Sequence, residues 1–160
     1  MPSRAKPKFA NEPLFNVAGS LVRRVAQVHD ALFARETAEY EVTPPQLAAI
    51  ATIARHPGIE LSPLAELVGY DPATLGSLVN RLAVKRLVRR NVGKHDRRTR
   101  QLYLTEKGKS LLDSVRPRTS QIHDLLLSPL SVEERSAFID MMQRVILRSV
   151  EVDETGSDVA

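Results

Sequence analysis

The sequence predicts a mainly α protein with one small antiparallel ribbon. Apolar residues recur at helical spacing through most of the 160 residues. Two strand-like runs, Leu87–Val92 and Arg100–Leu104, bracket a charged turn, GKHDRRT. Two strands joined by a turn do not form a domain alone, so this ribbon must pack on the helices.

Residues 1–13 carry three prolines and three cations without periodicity and are read as a mobile basic arm. From Leu14, apolar residues at 14, 18, 21, 22, 25, 28, 32 and 33 predict a helix ending near Tyr40. Thr43-Pro44-Pro45-Gln46 starts the next: threonine caps, proline suits the first helical position, and Gln46 reaches back. That helix stops before His56-Pro57-Gly58. Ile59-Glu60-Leu61 is long enough only for a bridge-like strand. Ser62-Pro63 opens a short helix, Leu64 to Val68, ended by Gly69. Asp71-Pro72 opens another, to about Arg86. After the ribbon come two long helical stretches, 105–127 and 131–150. Pro117 is expected to kink the first. Ser131-x-x-Glu134 forms a capping box for the second. Residues 151–160 are read as a disordered tail. The domain plan is residues 43–104 as a compact unit, flanked by helices in 14–42 and 105–150.

The hydrophobic fraction of 42% supports a packed interior. No apolar run approaches the ~18 residues that span a bilayer. The basic N-terminus lacks the apolar stretch of a secretory signal. The absence of cysteine excludes disulfides, thiolate metal sites and thiol redox sensing. The expectation is an intracellular protein with no membrane partner. Net charge is +4, unevenly placed. Residues 81–100 hold nine Lys/Arg against one acid, Asp96, a net of +8. The rest holds 14 cations and 18 acids, a net of −4. One basic stripe on a slightly acidic chain is the footprint of a polyanion-binding element.

The helices at 62–68 and 72–86, joined by a turn containing Gly69, have helix-turn-helix order. In the second, Leu75, Leu78, Val79 and Leu82 share one face. Thr74, Ser77, Asn80 and Arg81 share another, which suits a DNA major groove. An amphipathic helix shows a solvated polar face in any case, but the hairpin that follows changes the weighting. Basic side chains at its tip make a winged helix-turn-helix, with Arg97 or Arg98 at the minor groove and Asp96 pairing with a neighbouring arginine to fix it. Lys85, Arg90, Lys94 and Arg100 complete the expected DNA contacts. The predicted partner is a double-stranded DNA operator.

The stretches Leu64-Ala65-Glu66-Leu67, Thr74 to Leu82, Leu87-Val88-Arg89-Arg90, Asp96-Arg97-Arg98-Thr99-Arg100 and Leu104-Thr105-Glu106-Lys107-Gly108 resemble the MarR family of bacterial transcription regulators. The most specific part is Asp-x-Arg, filled by Asp96 and Arg98, followed by a strand and Leu-Thr-x-x-Gly. Gly76 departs from the β-branched or polar residues often seen on the family's recognition helix. The resemblance covers residues 14–150. It implies a homodimer with N- and C-terminal dimerisation helices, a palindromic operator, repression, and release by a small aromatic acid or aromatic acyl-CoA effector. It places the protein in the bacterial cytoplasm, on the nucleoid when bound.

The last helix carries Phe138, Met142, Val145 and Ile146 at helical spacing, and long amphipathic helices beside a self-contained domain need a second copy to cover them. The expected effector pocket is lined by Arg23, Arg24, His29 and Arg55, with Phe33, Tyr40 and Ile53 as apolar wall. His29, His56, His95 and His123 form no close pair, so no metal or other cofactor is expected. No triad motif or Gly-rich phosphate loop points to an enzyme. The alternative reading is a DNA-binding regulator or architectural protein without a small-molecule effector.

Overall fold

A computed structural model describes residues 13–92 and 100–155, with residues 14, 15 and 148–155 as backbone only. The arm 1–12, the end of the tail and Gly93–Thr99, including Lys94, His95, Asp96, Arg97 and Arg98, lie outside the described residues.

Helix α1 spans Ala18–Glu36, after a 3₁₀ turn at Pro13–Asn16 and before another at Ala38–Tyr40. It stops short of the expected Tyr40 because Thr37 closes it. The Thr37 amide and hydroxyl both donate to the Phe33 carbonyl, at 2.9 and 2.7 Å. Helix α2, Pro44–Arg55, starts as expected, and Gln46 Oε1 accepts from the Thr43 amide at 3.1 Å. Helix α3 spans Leu61–Val68, so it starts three residues earlier than the sequence indicates, with Pro63 inside the donor-free first turn. Gly69, at φ 71°, ends it. The amides of Gly69 and Tyr70 return to the Glu66 and Ala65 carbonyls, a Schellman closure.

Helix α4 spans Pro72–Val84, two residues shorter than expected. It closes as α3 does: Arg86 N donates to Ala83 O and Leu87 N to Leu82 O, each at 2.9 Å. Arg86 takes the left-handed position at φ 59°, where glycine would be unstrained. Strands β1 (Val88–Val92) and β2 (Arg100–Leu104) pair antiparallel, with Arg89 opposite Tyr103 and Arg90 opposite Leu102. The bridge expected at Ile59 forms, to Leu102.

Helix α5, Glu106–Leu126, runs without a break through Pro117. Helix α6, Val132–Thr155, opens with the expected capping box, Ser131 N to Glu134 Oε2 at 2.7 Å and Glu134 N to Ser131 Oγ at 3.3 Å. It continues to Thr155, so the first five residues assigned to the tail are helical.

The chain divides into two compact units, one ending at Ile122 and one starting at His123. The first has two apolar clusters. Ala49, Ile50, Ile53, Leu64, Leu75, Leu78, Val79, Leu82, Leu87, Val88, Leu102 and Leu104 form the larger, within the span 43–104. Fully burying each large side chain there contributes about 1.5–3 kcal/mol. Phe33, Leu47, Val115 and Ile122 form the smaller, joining α1, α2 and α5. The first unit therefore takes in α1 and most of α5 besides residues 43–104. In the second unit, α6 has no buried residue among those described. Its Val132, Ile139, Met141, Met142, Val145, Ile146 and Leu147 are exposed.

Candidate nucleic-acid interface

The periodicity of α4 decides its orientation. Leu75, Leu78, Val79 and Leu82 are all buried, and Thr74, Ser77, Asn80 and Arg81 are all exposed. Asp71 caps the helix by accepting from the Thr74 amide at 2.8 Å. Hydrogen bonds from Thr74, side chain first and then backbone, hold the Asp71 carboxyl below the ordinary carboxylate range.

The other end of α4 is tied to two distant segments. Lys85 Nζ donates to the Glu41 carbonyl at 2.7 Å, joining the α1–α2 connection to the end of α4. Lys107 Nζ donates to the Lys85 carbonyl at 3.1 Å. The Thr105 hydroxyl donates to the Arg86 carbonyl at 2.6 Å and accepts from the Gly108 amide at 3.0 Å. Gly108 is buried against the Leu87 backbone, and a Cβ there would collide with the Leu87 carbonyl oxygen. The Leu-Thr-x-x-Gly stretch is thus a joint holding α5 against the turn from α4 into β1.

Arg90 is exposed on β1, and Arg100 is exposed at the start of β2. Lys85, expected at DNA, is exposed and gives one of its three donors to the Glu41 carbonyl. Arg89, which the charge count includes without a role, has its guanidinium 4.7 Å from the centre of the Tyr103 ring. That ring packs over Gly58, whose φ of 89° and contact with the Tyr103 hydroxyl both disfavour a side chain.

Behind this pair lies a cleft of about 410 Å³, between the end of α2 (Ile53, Ala54), Pro57 just beyond it, the base of the ribbon (Arg89, Tyr103, Leu104) and α5 (Lys109, Leu112, Asp113, Arg116). Lys109 contacts Glu106 at 2.8 Å, and Arg116 lies 3.9 Å from Asp113. Of the seven residues expected around an effector, only Ile53 lines this cleft. Phe33 is buried in the smaller cluster. The Tyr40 hydroxyl donates to the Ser114 carbonyl at 3.2 Å. His29 lies 3.3 Å from Asp30 and its ring 6.1 Å from Phe33. Arg23, Arg24 and Arg55 are exposed. Strand alternation puts Arg89 and Tyr103 on the ribbon face away from Leu102, a signal present in the sequence. The contributions of α2 and α5 to the same cleft carry no such local signal.

Among the described residues, no helix is long and apolar enough to cross a membrane, and no cluster of His, Cys, Asp and Glu could hold a metal ion.

Residues 40–99 match the family model described as MarR family. The chain is 30% identical over 128 residues to the transcriptional repressor NicR of Pseudomonas putida, covering 80% of this chain and 81% of that protein. It is 32% identical over 133 residues to the transcriptional regulator HosA of Escherichia coli O157:H7, covering 83% and 97%. The crystal structure of the regulator PcaV from Streptomyces coelicolor, in complex with its natural ligand, superposes with a TM-score of 0.77 at 29% identity, covering 89% of this chain and 97% of that one.

Proposed function

Because the chain belongs to the MarR family of transcriptional regulators, we propose that it is a homodimeric repressor that binds a palindromic operator and leaves it when a small aromatic carboxylate, or its CoA thioester, binds. The family consists of transcription regulators, which are not enzymes. The observation that carries the proposal is the exposed row Thr74, Ser77, Asn80 and Arg81 opposite the buried stripe of α4. Inserted in the major groove, Asn80 pairs with adenine and Arg81 with guanine. Arg90, Lys94, Arg97 and Arg100 contact phosphates, Arg98 enters the minor groove, and Asp96 orients it. Residues 43–104 are the DNA-binding domain. Helices α1, α5 and α6 dimerise, which covers the exposed apolar residues of α6 and Val22 and Val28 of α1. Two-fold symmetry then presents two copies of α4 to half-sites about one helical turn apart.

The 410 Å³ cleft takes the effector. Its size lies within the about 300–1,000 Å³ of small-molecule sites. Ile53, Pro57 and Leu112 face an aromatic ring, and Arg89, Lys109 and Arg116 outnumber Asp113 and favour a carboxylate. For a CoA thioester, only the acyl group enters. The cleft touches both the base of the wing and α5. A ligand that fits better when these separate draws the dimer away from its DNA-bound shape.

Selection from random duplexes tests the DNA reading, with a palindrome and two chains per duplex as the expected result. A thermal-shift panel of hydroxylated benzoates, cinnamates and their CoA thioesters tests the effector. A compound that raises Tm and weakens operator binding supports it. If none does, the protein regulates without such an effector.

A further inference from the structure

Val84, the last residue of α4, is 83% exposed, more than any other large apolar residue among those described. A single exposed valine ordinarily needs no explanation. Its position on the helix gives this one a meaning. At the ~100° per residue of a 3.6-residue turn, Val84 lies about 40° around the axis from Asn80 and about 20° from Ser77. It therefore sits within the row of exposed polar side chains and roughly opposite the buried stripe.

The end of α4 that carries it is also held in place. The carbonyls of Leu82 and Ala83 accept from Leu87 and Arg86, Lys85 is tied to Glu41, and the Lys85 carbonyl accepts from Lys107. A β-branched side chain in a helix has one strongly preferred rotamer, so it loses little freedom on docking. An isopropyl group makes no hydrogen bond, and in the major groove the apolar feature that distinguishes one base from the others is the C5-methyl of thymine. Four residues along a helix is about 6 Å, close to two base steps of 3.4 Å.

We propose that Val84 is a specificity-determining residue that packs on the C5-methyl of an operator thymine about two base pairs from the base read by Asn80. This rests on the reading of α4 as the major-groove helix.

The test uses the full-length protein and a duplex recovered by selection, in which each thymine in turn is replaced by deoxyuridine. That replacement removes the methyl group alone. One position in each half-site should cost the wild type about fourfold in affinity, the equivalent of one buried methyl-sized group. Val84→Ala should lose that sensitivity and keep any other. Because the residue is exposed, the variant should melt like the wild type, and Val84→Thr, which retains one methyl, should fall between. Wild-type binding indifferent to every methyl overturns the proposal, as does undiminished sensitivity in Val84→Ala. Asn80→Ala separates the two levels. If it relaxes sequence preference while Val84→Ala changes nothing, only the Val84 assignment falls. If it too leaves preference intact, the groove reading falls and the proposal with it.

Discussion

The Thr105 hydroxyl donates to the Arg86 carbonyl at 2.6 Å across 19 residues of sequence, and it accepts the Gly108 amide at 3.0 Å. One side chain therefore caps α5 and holds the left-handed turn that ends α4. Removing it deletes the cap of α5 and returns an exposed carbonyl to water, at a cost of about 0.5–2 kcal/mol. Thr105→Val should lose that much in urea unfolding, and Thr105→Ser should retain most of it. Equal stability of the valine variant would remove the joint from consideration.

Two glycines should respond oppositely to alanine. At Gly108 a Cβ would collide with the Leu87 carbonyl, and displacing backbone costs about 1–3 kcal/mol or more. At Gly76 a Cβ would lie 3.6 Å from the Leu61 side chain, an ordinary contact. Gly76→Ala should therefore stabilise the helix by about 0.5–1 kcal/mol. Differential scanning calorimetry of both variants checks the pair, and a destabilised Gly76→Ala would contradict the packing described.

Asp71 gives stability a pH dependence of known sign. Its carboxyl is held below the ordinary range in the folded state. Its contribution is therefore complete above the unfolded-state pKa and is lost as pH falls through the folded-state value. Asp71→Ala should melt below the wild type at neutral pH, and the gap should close in acid. A gap that stays constant from pH 7 to pH 2 would mean that Asp71 does not act as a charged cap.

Base and backbone contacts should separate on DNA. Arg98→Ala should weaken operator binding and reduce the slope of log K against log salt by about one. Asn80→Ala should relax sequence preference with little change in slope. Unchanged affinity in Arg98→Ala would mean that the wing lies elsewhere.

A charge on α6 should split the dimer. Ile146 is 58% exposed on a helix without a buried residue among those described. Ile146→Asp should shift sedimentation from dimer to monomer and weaken operator binding by at least tenfold, because a monomer engages one half-site. An unshifted sedimentation profile would take Ile146 out of the interface.

Periodicity and caps settled much of this protein locally. The 3.6-residue repeat orients α4, Thr43-x-x-Gln46 and Ser131-x-x-Glu134 start two helices, and alternation along 100–104 puts Leu102 and Leu104 inside. Each follows from residues within a turn or two of one another. The uneven charge of residues 81–100 is likewise legible without coordinates. Only the structure showed where α1 ends, through a local contact of Thr37 with the Phe33 carbonyl one turn back. It also decided that Lys85 meets Glu41, and that α2, the ribbon and α5 enclose a cleft using only one of the expected residues. The Lys85 contact and the cleft depend on groups brought together over tens of residues, and a backbone carbonyl such as that of Phe33 or Glu41 leaves no mark in the sequence.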